Sequence, residues 1–256
     1  MNTIDFGLTA DDYRIHRAGF PDAFYDRLAT WGLGGAGSRV LDLGTGTGTL
    51  ARGLAQRGCR VTGLDIAPAM LAAARALDQE AGVEAQYLAA AAEHTGLPDA
   101  QFDLVCAGQC WHWFDGPAAA REAGRLLRPG GTLLIAHYDW LPLPGSVAEA
   151  SEQLILAHNP QWRGAGGCGI HTAGFAHLAE AGFTGLESQS FDHTQRYTHA
   201  GWRGRIRASA GVSASLDSAS VARFDTEHAV LLAQRFPGDP FEVPHRVFIL
   251  AGGNPT

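Results

Sequence analysis

The sequence predicts an α/β protein built on a doubly wound, mostly parallel sheet. Three observations carry this. Short apolar strand-like runs alternate with helical ones through the first half of the chain, the pattern of parallel strands joined by crossover helices. The run Val40-Leu41-Asp42-Leu43-Gly44-Thr45-Gly46-Thr47-Gly48 reads as a buried strand breaking into a glycine-rich turn before a helix. A second strand then ends at an acid, Asp65, about where a ribose diol would be met in such a sheet.

The elements follow in order. Residues 1–20 read as an irregular arm, and Pro21 to Trp31 as a helix with Phe20, Phe24, Leu28 and Trp31 at helical spacing. Strands are expected at Arg39–Asp42, Arg60–Leu64, Ala85–Leu88, Asp103–Ala107 and Thr132–Ala136. Helices are expected between them at Thr49–Arg57, Pro68–Ala81 and Pro117–Leu127. The Ala-rich run after Pro68 has high helix propensity, and proline suits a first helical turn. Beyond Trp140 the alternation loosens. Pro142, Pro144 and Gly145 punctuate a loop, and residues 164–169 are dense in glycine. A helix over Thr172–Ala181, a strand over Leu186–Phe191, a helix over Ser218–Gln234 and a last strand at His245–Ala251 complete the reading. One domain covers residues 1–256: an arm and helix over 1–37, a ligand-binding half over 38–139, and inserts over 140–185 and 192–244.

Bulk properties exclude several classes. Apolar residues make up 46% of the chain, enough for a substantial core, and the formal net charge is −7. Positive charge is scattered, apart from Arg203, Arg205 and Arg207, so no footprint for a nucleic-acid backbone is present. Cys59, Cys106, Cys110 and Cys168 form no C-x-x-C pair, and no zinc spacing follows. Reduced core thiols and a cytoplasmic location are the expectation. The N-terminal residues are polar, with no apolar signal-peptide core, and no apolar run reaches the length of a bilayer span. A monomer or homodimer without membrane or nucleic-acid partners is expected.

The glycine turn and Asp65 together indicate a nucleoside cofactor. A dinucleotide fingerprint requires G-x-G-x-x-G, but Gly44, Gly46 and Gly48 are spaced G-x-G-x-G, with Thr49 in the third glycine's place. A carboxylate at Asp42 would repel a pyrophosphate and suits a ligand with a cationic end. S-adenosylmethionine has an ammonium, a sulfonium and a ribose, and no phosphate.

Val40–Gly48 resembles motif I of the class I S-adenosylmethionine-dependent methyltransferases, D/E-x-G-x-G-x-G. Three further segments match the same family in order: Gly63-Leu64-Asp65-Ile66-Ala67-Pro68-Ala69-Met70, Ala91-Ala92-Glu93-His94-Thr95-Gly96-Leu97-Pro98, and Arg125-Leu126-Leu127-Arg128-Pro129-Gly130-Gly131-Thr132-Leu133. The resemblance implies a Rossmann-like, seven-stranded sheet, mostly parallel with an antiparallel last strand, and helical inserts that cap the acceptor side. It implies S-adenosyl-L-methionine as cofactor, held by Asp42, Gly44, Thr45, Gly46, Gly48, Asp65, Ile66 and Met70. The family's acid before the Ala-Glu pair is Ala91 here, so the adenine would be met by the backbone of Ala92 or Glu93, or by His94. Tyr13-Arg14-Ile15-His16-Arg17-Ala18-Gly19-Phe20-Pro21 resembles the family's Y-x-x-x-R-P-x-Y-P arm, which assigns Tyr13 and Arg17 to the cofactor, Arg17 to its carboxylate.

The strand Asp103–Ala107 leads into Gly108-Gln109-Cys110-Trp111-His112-Trp113-Phe114-Asp115. In this family the loop lies beside the transferable methyl, so Gly108 and Gln109 are assigned to the cofactor. It lacks the Asn/Asp-Pro-Pro-Tyr/Phe run of enzymes that methylate base amino groups. Gln109-x-x-His112-Trp113-Phe114 is instead similar to a small-molecule branch that includes trans-aconitate methyltransferases, without transferring that substrate. His112 is the candidate general base, or a packing residue that orients the loop. Trp111 and Trp113 could stack an acceptor or fill core. His137, Tyr138 and Trp140 follow the fifth strand at its ligand-facing end, and Tyr138 and Trp140 are assigned to the acceptor. Arg203 and Arg207, four apart on one helical face, either clamp an acidic acceptor, form a solvated face, or pair with the protein's own acids. The remaining histidines, His158, His171, His177, His193, His199, His228 and His245, show no metal-like pairing, and no metal is expected.

The reading that results is methyl transfer from S-adenosylmethionine to a small-molecule acceptor, at O or N rather than C, by in-line displacement. Two others stand beside it: a non-catalytic S-adenosylmethionine-binding protein, and a nicotinamide-dependent reductase. Asp42, Thr49 and the absence of a Tyr-x-x-x-Lys pair oppose the last.

Overall fold

The computed structural model describes residues 19–255. Short runs with few polar residues cannot leave both faces in water, and here they form the buried centre of a sheet. Strand β1 (Arg39–Leu43) is buried over its last four residues. It pairs in parallel with β2 (Arg60–Asp65) on one side and β4 (Phe102–Gly108) on the other. β3 (Gln86–Ala89) adds to β2 and β5 (Leu127–Trp140) to β4, both parallel. With β6 (Thr184–Tyr197) and β7 (Phe241–Gly253) the order is β3-β2-β1-β4-β5-β7-β6, six strands parallel and the last antiparallel. This is the Rossmann-like sheet that the sequence motifs imply.

The helices are α1 (Asp22–Thr30), α2 (Thr49–Ala55), α3 (Pro68–Ala81), α4 (Gly116–Leu126), α5 (Val147–His158), α6 (Ala173–Glu180), α7 (His199–Arg207) and α8 (Ser218–Arg235). The chain divides into two compact units. Among the described residues, the larger comprises 19–138, 170–191 and 247–255, and the smaller 139–169 and 192–246. β5, β6 and β7 each carry the chain from one to the other. In the larger unit, Leu41, Leu43, Val105, Leu133, Ile135 and Leu250 build the core together with α4 and Leu178 of α6. In the smaller, Trp202, Ile206, Ile155, Phe224, Leu232 and Val243 pack together.

Three strands run past their expected limits. β5 begins at Leu127 rather than Thr132, β6 continues to Tyr197 rather than Phe191, and β7 starts at Phe241 rather than His245. β6 is an edge strand whose burial alternates weakly between exposed and half-buried, so its polar residues hide the strand period. α5 lies in a stretch with no expected helix. Its start is nevertheless written as Ser146-x-x-Glu149: Ser146 Oγ accepts the Glu149 N–H at 3.1 Å, and the Glu149 carboxylate accepts the Gly145 N–H at 2.7 Å, close to a capping box.

β1 lies between β2 and β4, and chain order reverses there. The carboxyl ends of these strands therefore border the crevice at which doubly wound sheets bind ligands.

Candidate functional site

The glycine turn after β1 is assembled by residues from four strands and two helices. Gly44, Gly46 and Gly48 have φ of +61°, +55° and +74°, a region that L side chains avoid. Space gives a second reason at Gly44. A Cβ there would stand 2.9 Å from Cys110 Sγ and from the Phe114 ring. The turn is thus pressed against the loop that follows β4.

Asp42 is 1% exposed. Thr45 Oγ1 donates to its carboxylate at 2.6 Å, and Cys106 Sγ approaches at 3.6 Å. Burial raises its pKa from 3.8 to about 7, partly opposed by the Thr45 and Cys106 bonds. Within the described residues the Asp42 carboxyl acts on the turn from beneath.

Asp65 closes the turn from the other side. One of its oxygens accepts the Gly46 N–H and the other the Ala67 N–H, each at 2.9 Å. A carboxylate has about four acceptor positions, so two internal bonds leave capacity for a diol. Ile66, beside it, is 75% exposed, an apolar surface at the crevice. Met70 and Ala92 are buried below. Glu93 is half-buried and accepts the Asp115 N–H at 2.9 Å, so it ties the loop after β3 to the N-cap of α4.

A support that the sequence reading missed lies under the turn. Arg52 donates to Asp78 at 2.8 Å and to the Thr47 carbonyl at 2.8 Å, and the Tyr87 hydroxyl donates to Asp78 at 2.7 Å. Asp78 shares the buried face of α3 with Met70 and Ala74. An acid four residues after Ala74 and eight after Met70, on the apolar face, was the available signal.

The loop after β4 is held firmly. Gln109 has φ +65°, a costly conformation for a residue with a Cβ. Its backbone N–H donates to Ala136 O at 2.8 Å, and its side-chain amide to Tyr138 O. Cys110 Sγ meets Leu43 O at 3.0 Å, and Trp111 Nε1 donates to His177 Nδ1 at 3.1 Å. Trp111 is 4% exposed and packs edge-on to Phe114, whereas His112 and Trp113 face outward, Trp113 46% exposed. Of the two tryptophans, Trp111 is core. The His112 ring lies 5.9 Å from that of His137, which stacks on His171; the sequence places His171 alone. Tyr138 is buried, its ring 6.1 Å from that of Phe20.

Tyr13 and Arg17 lie outside the described residues. In the smaller unit, Trp140 Nε1 donates to Glu152 at 2.7 Å. Of the roles open to Arg203 and Arg207, the structure displays pairing. Both meet Asp225, Arg203 through Nε at 3.0 Å and Arg207 through Nη1 at 2.7 Å. Arg205, on the opposite face of α7, is buried with its guanidinium 4.7 Å from the centre of the Trp140 ring.

Residues 41–135 match the family model described as a methyltransferase domain. An uncharacterized methyltransferase of Mycobacterium tuberculosis is 39% identical over 131 residues, 51% of this chain and 51% of that protein. The ubiquinone biosynthesis O-methyltransferase of Pseudomonas aeruginosa is 41% identical over 129 residues, 49% of this chain and 55% of its own length. The chain spans about half the length of the curated relatives it matches. A solved structure from Anaeromyxobacter dehalogenans, described as a candidate type II methyltransferase, has TM-score 0.68 and 25% identity, covering 93% of this chain and 98% of that one. Phosphoethanolamine N-methyltransferase 2 of Haemonchus contortus, solved with S-adenosylhomocysteine, has TM-score 0.57 at 21% identity over 98% of this chain and 57% of its own, a likeness of fold alone.

Proposed function

We propose that this chain, which belongs through residues 41–135 to the class I S-adenosylmethionine-dependent methyltransferases, transfers a methyl group to O or N of a small-molecule acceptor. The observation that carries the reading is Asp65. Its carboxylate is locked between the Gly46 and Ala67 N–H groups at the switch point of the sheet, with acceptor capacity left for a ribose diol. The residues fit the cofactor: a buried carboxyl, Asp42, at the glycine turn, an apolar Ile66 beside the ribose acid, and no basic residue in the turn. Tyr13, Arg17, Gly44, Thr45, Gly48, Met70, Ala92, Glu93 and Gly108 complete the proposed binding set.

S-adenosylmethionine supplies an electrophilic methyl on sulfur, so the protein's task is alignment and exclusion of water. Gln109 and Trp111 brace the loop after β4, and His112 and Trp113 face outward from it. In this reading His112 takes the proton of an acceptor hydroxyl or N–H, and Trp113 gives it an apolar face. The net charge of −7 and the unclustered arginines favour a small molecule over a nucleic acid. Among the described residues no helix is long and apolar enough to cross a membrane.

Calorimetry with S-adenosylhomocysteine and with NADH tests the cofactor. Labelled S-adenosylmethionine with a panel of small hydroxyl- and amine-bearing metabolites tests the reaction. Binding of NADH alone would reject the reading. S-adenosylhomocysteine binding with no labelled product across the panel would favour the non-catalytic alternative.

A further inference from the structure

Two histidines from distant parts of the chain meet face to face in the larger unit. His137 lies in β5 and is 2% exposed; His171 is half-buried and lies just before α6. Their ring centroids are 3.5 Å apart and their planes differ by 9°. The proposed methyl transfer uses neither ring. His112, exposed on the loop after β4, brings a third ring 5.9 Å from that of His137.

Neutral imidazole is a common ligand of late first-row divalent ions. Metal–nitrogen bonds of about 2.0–2.1 Å in tetrahedral geometry place two donor nitrogens about 3.4 Å apart. One donor nitrogen of His137 lies within 4.8 Å of one on His171, and in the stacked arrangement their in-plane lone pairs run parallel. Rotation of the less buried His171 ring turns its nitrogen toward a shared point. The buried His137 gives the site a fixed wall.

We propose that His137 and His171 are two donors of a site for a divalent transition ion of the zinc type. The remaining coordination positions are left to water or a ligand oxygen. The metal site stands on the two stacked rings; its place beside the acceptor rests on the reading of His112 given above.

The test uses the full chain after treatment with EDTA and dialysis. Calorimetric titration with zinc chloride should give one equivalent bound. His171→Ala, at a half-buried position, should weaken binding by roughly tenfold or more. Titration with cobalt(II) should produce visible d–d bands that the variant loses, and circular dichroism should report an unchanged fold. Absence of stoichiometric zinc binding by the folded protein overturns the proposal, as does undiminished binding in His171→Ala. S-adenosylhomocysteine affinity is measured on the same preparations. Cofactor bound without zinc rejects the metal site and leaves the methyltransferase reading intact; zinc bound without cofactor does the reverse.

Discussion

The carboxylate of Asp65 accepts the backbone N–H of Gly46 at 2.9 Å. The acid of the second strand and the glycine turn of the first are therefore one device. In the proposed reading, the residue assigned to the ribose also holds the turn that carries the rest of the ligand. Asp65→Ala should lower S-adenosylhomocysteine affinity by roughly tenfold or more, since it removes the carboxylate acceptor of two backbone N–H groups together with the proposed diol contact. An unchanged dissociation constant in calorimetry would remove Asp65 from the site.

Arg52 and Asp78 hold the same turn from below, with side-chain exposures of 16% and 6%. Removing one partner leaves the other charge nearly buried, at a cost of about 3 kcal/mol. Arg52→Ala should lower the denaturation midpoint accordingly and also weaken cofactor binding, because the Thr47 carbonyl loses its donor. A midpoint within error of wild type would mean that water replaces the pair.

Asp42 makes stability depend on pH. Its pKa is raised from 3.8 to about 7, first by burial. Between these values the folded chain binds a proton that the unfolded chain has released, so folding stability falls as pH rises through that window. The contribution is complete below pH 3.8 and lost above about 7. Asp42→Asn should flatten this part of the melting-temperature profile. A profile of the same slope in the variant would assign the dependence to other groups.

Gly44→Ala should destabilise by about 1–3 kcal/mol, because φ is +61° and the new Cβ would meet Cys110 and Phe114. Thermal denaturation measures this directly. No loss would show that the loop after β4 yields.

His112→Ala should lower turnover by about 10²-fold or more while leaving S-adenosylhomocysteine affinity within a factor of about two. Equal losses in turnover and affinity would make His112 a packing residue.

The β1 to β5 half of the fold was legible because each strand is a short apolar run bounded by turn residues, and the glycine turn and Asp65 could be read at a glance. β6 and α5 were not: an edge strand carries polar residues on its exposed positions, and the helix announces itself only through Ser146 and Glu149. The same holds for site residues. Asp65 lies where its motif predicts, whereas the contacts that lock it, from Gly46 and Ala67, exist only in three dimensions.

By itself the sequence determined the order of strands and helices in the first half, the position of the turn and the class of ligand it suits, because local periodicity and backbone chemistry carry that information. Tertiary structure alone decided what the charges do. It buried Asp42 beneath α2, gave Arg203 and Arg207 to Asp225, set Arg52 on Asp78, and stacked His137 on His171, 34 residues apart in sequence. The partner of a charge or an imidazole depends on how distant segments cross, and no local pattern encodes that crossing.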